Sequence, residues 1–252
     1  MVRRMNVVIL GGTKGMGRAL ARQLAERGDR LFLLGRDARE LERSARDLEA
    51  RAPTGARMEV GTATCDLEAP QSFDGALSAA EATLGKLDCV IVTAALFATQ
   101  EQLEQDEALM ERLVTVNFAN TVAFCERARK RLLASGGGTL CVFSSVAGER
   151  GRKPVVIYGA SKAGLSSYLE GLDHRYRAAG LKVVTVKPGF VNTGMTEGLK
   201  PPPFAGEPDA VARTVVRAID RGTPVVYAPA PWALVMGVIR TLPRAVMRRV
   251  KF

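Results

Sequence analysis

Tyr158 and Lys162 stand four positions apart in Tyr158-Gly159-Ala160-Ser161-Lys162, so on a helix a phenol and an ammonium share one face. An unperturbed phenol has a pKa of about 10, too high for easy proton exchange near neutrality. A neighbouring cation favours the phenolate and lowers that value, which equips the pair for general acid–base work. Taken alone, the spacing equally describes a surface pair stabilising its helix by about 0.2–0.5 kcal/mol. Ser144 and Ser145 give it context. Both follow the apolar run 139–143, and a hydroxyl at the carboxyl edge of a parallel sheet faces the crevice where ligands of such folds bind.

A second chemical signal lies near the start, in Val7-Val8-Ile9-Leu10-Gly11-Gly12-Thr13-Lys14-Gly15-Met16-Gly17. The glycines Gly11, Gly15 and Gly17 join a strand-like run to a helix-like one. Glycine permits a tight turn and close backbone approach, and the following helix offers unpaired N–H groups to a pyrophosphate. A dinucleotide is the natural ligand. At the end of the second strand, where an NAD enzyme holds a carboxylate against the ribose 2′-hydroxyl, stands Gly35, followed by Arg36. Arg36 and Lys14 are two cations suited to a 2′-phosphate, so NADP(H) is expected. Asp37 is placed to cap the helix that starts near Ala38.

The Gly-x-x-x-Gly-x-Gly spacing, Tyr158-x-x-x-Lys162 and Ser145 together resemble the short-chain dehydrogenase/reductase family over residues 5 to about 227. The resemblance implies that Tyr158 transfers the proton, Ser145 steadies the substrate oxygen, and Lys162 assists Tyr158 and holds the nicotinamide ribose. It favours Ser145 over Ser144, and implies that Asn117, in Leu113-Val114-Thr115-Val116-Asn117, completes a tetrad from a local helix irregularity by holding a water near the lysine. For the cofactor it implies Gly11, Thr13, Lys14, Gly15, Met16 and Gly17 at the phosphates and Arg36 at the 2′-phosphate. Asp66 falls at the adenine and Ala94 beside its ribose, while Pro188, Gly189, Val191 and Thr193 fall near the nicotinamide. It further implies a dimer or tetramer built on the helices around Asn117 and Tyr158. Two positions depart from the family pattern: Val92-Thr93-Ala94-Ala95 replaces the usual Asn-Asn-Ala-Gly, and Leu10 replaces a threonine. Thr93 is offered as compensation.

The elements that must position these groups are read from hydrophobic period. Short apolar runs at 6–10, 30–34, 58–65, 90–93, 139–143, 183–187 and 225–227 alternate with amphipathic stretches at 17–27, 38–51, 71–84, 103–134, 159–179 and 208–221. That alternation predicts an α/β fold of Rossmann type, a doubly wound parallel seven-stranded sheet with helices on both faces. Residues 1–230 form the reductase domain and 231–252 a basic C-terminal extension.

Composition excludes other classes. An apolar content of 47% against 25% charged residues fills a core in a chain of 252 residues. Four separated cysteines and a single histidine, His174, provide no metal site. Reduced thiols and the lack of an export signal after Arg3 and Arg4 point to the cytoplasm. The net charge of +10 comes from scattered residues without a nucleic-acid motif.

The C-terminus is the exception to that scatter. After Asp220 there is no acidic residue, while Arg240, Arg244, Arg248, Arg249 and Lys251 crowd the end. Prolines 224, 229 and 231 interrupt the uncharged run 222–239, which argues against a membrane span. Two short helices, 232–239 and 244–252, are expected. The second sets Arg244, Arg248 and Lys251 against Val246, Met247 and Val250, a pattern that suits either anionic lipid or docking on protein. Pro201 to Pro203 and Phe204 occupy the place of the family's substrate lid or form a stiff polyproline connection. The substrate expected is a small or lipid-like ketone. A dinucleotide sensor, or a lipid-binding protein without turnover, would share the fold; the complete set Asn117, Ser145, Tyr158 and Lys162 favours the reductase.

Overall fold

The computed structural model describes residues 4–53 and 58–249. Seven parallel strands form one sheet: β1 (Asn6–Leu10), β2 (Arg30–Gly35), β3 (Gly61–Thr64), β4 (Cys89–Val92), β5 (Gly138–Phe143), β6 (Leu181–Pro188) and β7 (Val225–Ala228). Their spatial order is β3-β2-β1-β4-β5-β6-β7. The chain winds outward from β1 to one edge, then returns beside β1 with β4 and winds to the other. A ligand crevice opens at this reversal, outside the carboxyl ends of the strands.

Strand side chains alternate between two cores, as a pleated sheet covered on both faces requires. Val7, Ile9, Leu31, Leu33, Ile91 and Val184 face one way, under α1 (Gly15–Arg27), α2 (Ala38–Glu49) and α8 (Pro208–Arg221). Val8, Leu10, Phe32, Leu34, Val90 and Val142 face the other, under α3 (Phe73–Leu84), α6 (Thr121–Ala134) and α7 (Val156–Tyr176). All four cysteines are free and buried, and His174 is exposed on α7.

Two elements differ from the sequence expectation. The strand expected at 58–65 pairs only over Gly61–Thr64, because the Val60 N–H bonds the Glu49 side chain at 3.0 Å instead of entering the ladder. The single helix expected at 103–134 is three segments: α4 (Gln100–Gln105), α5 (Glu107–Val114) and α6, with a π-helical stretch, Thr115–Asn120, between the last two. Asp106 makes the first break. Its extended backbone ends α4 while its side chain accepts from Leu109 N at 2.9 Å and caps α5. Hydrophobic spacing runs through both points and so hides them.

The C-terminal extension folds as α9 (Pro231–Thr241) and α10 (Arg244–Met247). The helix expected at 244–252 is thus a single turn over its described part; Val250 and Lys251 lie outside the described residues, as does Arg3. No helix among the described residues is long and apolar enough to cross a membrane. Asp106→Ala is expected to lower stability by about 1 kcal/mol through loss of the α5 cap, read as a shift of the urea midpoint without a change in slope.

Candidate active site

The turn from β1 into α1 is built on close backbone approach. Gly11 has φ 95°, and a Cβ there would lie 2.6 Å from Thr93 Oγ1 and 2.7 Å from Ala94 N. A Cβ on Gly17 would overlap the Gly11 carbonyl oxygen. The cradle therefore accepts no side chain at either place. Lys14 precedes α1 without capping it through its side chain, and no acidic residue stands in the first turn, so the first N–H groups of the helix keep their donor capacity toward an anion. Thr13 and Met16 are half-buried in the same turn, and the Thr13 carbonyl is held by Arg18 Nε at 2.6 Å.

Thr93 stands where the family pattern has an asparagine, at the end of β4. Its Oγ1 lies 3.0 Å from the Gly11 carbonyl and 3.2 Å from that of Leu10, tying the end of β4 to the glycine turn. Ala94 follows, half-buried, with its N–H on Leu10 O at 3.2 Å. On the far side, the Thr193 methyl comes within 3.4 Å of where a Gly15 Cβ would stand, so the β6–α8 connection closes over the same cradle.

The cations expected at a 2′-phosphate are exposed. Gly35 ends β2 without a carboxylate; Arg36 is 69% exposed, and only a 3.9 Å contact with Glu68 engages it. Asp37 caps α2, accepting from Arg39 N and Glu40 N, and is thereby occupied as expected. Arg18, which sequence reasoning passed over, bridges Thr13 O and, at 3.8 Å, Glu40, which adds a third cation at this corner. Asp66, half-buried after β3, accepts from Glu68 N at 3.0 Å and shapes the loop there.

The residues expected to transfer the proton meet at the carboxyl end of β5. Ser144 turns inward, donating to Lys162 O at 2.9 Å or pairing with Ser166 at 2.7 Å, which leaves Ser145 as the hydroxyl at the crevice. Ser145 stands close enough to the Tyr158 phenol to draw its pKa down, and its Oγ accepts from Ala147 N at 3.1 Å. Lys162, 2% exposed, donates to Phe143 O at 3.0 Å and lies 5.9 Å from the Tyr158 ring centre. Burial pushes the lysine down to about 8. Burial also pushes the Tyr158 phenol up to about 12, against the opposing influence of Ser145. The Lys162 ammonium points to the Phe143 carbonyl, and burial is the largest influence on the phenol.

Asn117 sits fully buried in the π-helical stretch, donating to Leu96 O at 2.7 Å and accepting from Leu96 N at 2.8 Å. The irregularity is where the sequence placed it, and its side chain clamps the loop after β4 rather than touching Lys162. That loop carries two further residues the sequence did not single out. Phe97 packs edge-on against Tyr158, ring centres 5.2 Å apart, and buried Gln100 accepts from Ile157 N at 3.2 Å at the start of α7. Neither stands in a motif; only the fold brings them to Tyr158.

Pro188 ends β6 and Gly189 follows it, and the Trp232 indole lies directly on Gly189, where a Cβ would overlap it. Trp232 Nε1 also donates to Phe204 O at 3.1 Å. Val191 is buried and bridges to Gly206, and Thr193 Oγ1 accepts from Met195 N at 3.3 Å. The C-terminal extension thus helps to shape this connection. No cluster of His, Cys, Asp and Glu suited to a metal occurs among the described residues.

Residues 5–203 match the family model of the short chain dehydrogenases. An uncharacterized oxidoreductase of Mycobacterium tuberculosis is 33% identical over 246 residues, spanning 97% of this chain and 96% of that one. Carbonyl reductase family member 4 of Xenopus tropicalis is 26% identical, over 82% of this chain and 88% of that protein. Among solved structures, a short-chain dehydrogenase/reductase from Mycobacterium ulcerans superposes with a TM-score of 0.79 at 22% identity, covering 88% and 86% of the two chains, and shares the fold. The chain belongs to the short-chain dehydrogenase family and is an oxidoreductase of that family. The family uses a nicotinamide dinucleotide, and the side-chain-free cradle at Gly11 and Gly17 fits such a group. Thr93→Val is expected to cost about 1–2 kcal/mol by leaving the Gly11 carbonyl without its donor and to weaken dinucleotide binding, both measurable by thermal melts with and without cofactor.

Proposed function

We propose that the protein is an NADP(H)-dependent reductase of ketones, working in reverse on secondary alcohols. The observation that carries this reading is the meeting of Ser145, Tyr158 and buried Lys162 at the carboxyl end of β5, beside a phosphate cradle. The nicotinamide, when bound, supplies or accepts hydride. Ser145 donates a hydrogen bond to the substrate oxygen, Tyr158 delivers its proton to that oxygen and becomes a phenolate, and the positive charge of Lys162 stabilises the phenolate. Tyr158 is protonated near neutrality, the form from which ketone reduction draws its proton. Asn117 positions the loop of Phe97, and through it the wall beside Tyr158.

The preference for NADP(H) rests on Gly35 in place of a carboxylate and on exposed Arg36 and Lys14. Ala94, Asp66, Pro188, Gly189, Val191 and Thr193 hold the rest of the dinucleotide in this reading. Exposed Met195, Leu199 and Phe204 on the β6–α8 connection support an apolar, lipid-like ketone. Exposed Val114, Phe118 and Val156 on the α5-to-α7 side support a homodimer or homotetramer, and the free cysteines suit a reducing cytoplasm.

Fluorescence titration is expected to give NADPH about tenfold or more tighter binding than NADH, about 1.4 kcal/mol; tighter NADH binding would overturn the assignment. The pH profile of ketone reduction follows from Lys162. Its pKa is depressed, so its charge is complete well below pH 8 and is lost as pH rises through about 8. Reductive kcat/KM should therefore be level on the acid side and fall above about pH 8, and a rate that climbs through that range contradicts the role of the ammonium.

A further inference from the structure

The C-terminal extension is fastened to the catalytic connection between β5 and α7. Arg240 pairs at 3.2 Å with Glu149, a carboxylate 4% exposed that also binds Lys187. Arg150 donates to Leu242 O at 2.9 Å, and Lys153 donates to Arg248 O at 2.5 Å. Between them lies a cleft of about 390 Å³ lined by Arg150, Gly151, Lys153, Arg244, Met247 and Arg248. Four of those six residues are cationic and none is acidic.

The apolar sides of the extension divide. Trp232, Met236 and Ile239 are buried with Val146, and Met247 packs against them. Met247 thus docks on protein, one of the two arrangements open to the 244–252 segment. The outward apolar groups are instead Leu234 at 77% and Val238 at 56% exposure, one turn apart on α9, with Val246 at 42% on α10. Phe204, 56% exposed, sits beside the start of α9 through the bond from Trp232.

We infer that this extension docks on an anionic lipid surface, with Leu234 and Val238 entering the interface and Arg150, Lys153, Arg244 and Arg248 meeting the headgroups. Charge selects this occupant. A two-fold contact centred on this cleft would bring its arginines close to their own copies, and the cleft's lining holds no carboxylate to relieve them. Nucleic acid would satisfy the cations and leave exposed aliphatic groups without a role. A bilayer of acidic lipid satisfies both, since aliphatic side chains enter the headgroup boundary while basic ones meet the phosphates. Arg150 and Lys153 lie on the connection that leads from Ser145 to Tyr158, so docking would bring the active site to the membrane. The docking itself does not depend on turnover.

The test is co-sedimentation of the intact protein with phosphatidylglycerol-rich and with pure phosphatidylcholine vesicles. The anionic vesicles are expected to bind about tenfold or more protein, with binding falling as salt shortens the Debye length. Arg244→Glu with Arg248→Glu should weaken it at least about tenfold. Leu234→Asp should also weaken it, at an unchanged melting temperature and NADPH affinity. Equal or no binding to the two vesicle types, or full binding by the folded variants, would overturn the inference. So would sedimentation velocity showing that Leu234→Asp splits an oligomer, which would make this face a contact between copies. If a charge-reversed variant does not fold, Arg244→Gln and the salt and lipid dependence of the native protein decide the matter.

Discussion

A buried ammonium organises this molecule. Taking a lysine out of water costs several kcal/mol unless its charge is met, and Lys162 is met by the Phe143 carbonyl at 3.0 Å. That one bond fixes α7 against the end of β5. Ser144 adds a second tie, from its hydroxyl to the Lys162 carbonyl and Ser166. With the helix so anchored, Tyr158 comes one turn before the lysine on the same face and meets Ser145. The order of pKa values follows from the same burial: the phenol is held neutral and the ammonium is brought near the pH of use.

Two backbone clamps extend that arrangement to the rest of the crevice. Thr93 joins β4 to the Gly11 turn, and Asn117 joins the π-helical stretch to Leu96. Together they hold the loop of Phe97 against Tyr158 and keep open the approach that Gly11 and Gly17 provide. The third wall comes from far along the chain, where Trp232 lies on Gly189 and bonds the Phe204 carbonyl. Glu149 ties the same wall to the catalytic connection through Lys187 and Arg240. The C-terminal extension is thus part of the site's construction, although its sequence carries no catalytic motif.

The sheet was legible because buried parallel strands are short continuous apolar runs, and the glycine turn because its chemistry is local. Ser145, Tyr158, Lys162 and Asn117 were legible through family spacing. Asp37 was read correctly as a cap since capping depends on the next three residues. What the sequence hid depends on distant partners. Asp106 breaks a helix through whose position the apolar period runs unbroken, and Glu49 takes the Val60 N–H out of the third strand's ladder. The period of residues 244–252 allowed Met247 to meet either lipid or protein, and only the fold shows that Val146 and Trp232 receive it. The direction of the phenol's shift depends on the fold for a like reason, since burial is its largest cause. Position on a helix gives proximity to Lys162, but only the fold shows that the ammonium is aimed at Phe143.

The central claim is that Tyr158 gives the proton in ketone reduction, and removal of its hydroxyl tests it most directly. Tyr158→Phe should lower kcat for NADPH-dependent ketone reduction by about 10²-fold or more while NADPH binds as before. Turnover within a few-fold of the native rate, with binding intact, would contradict the account.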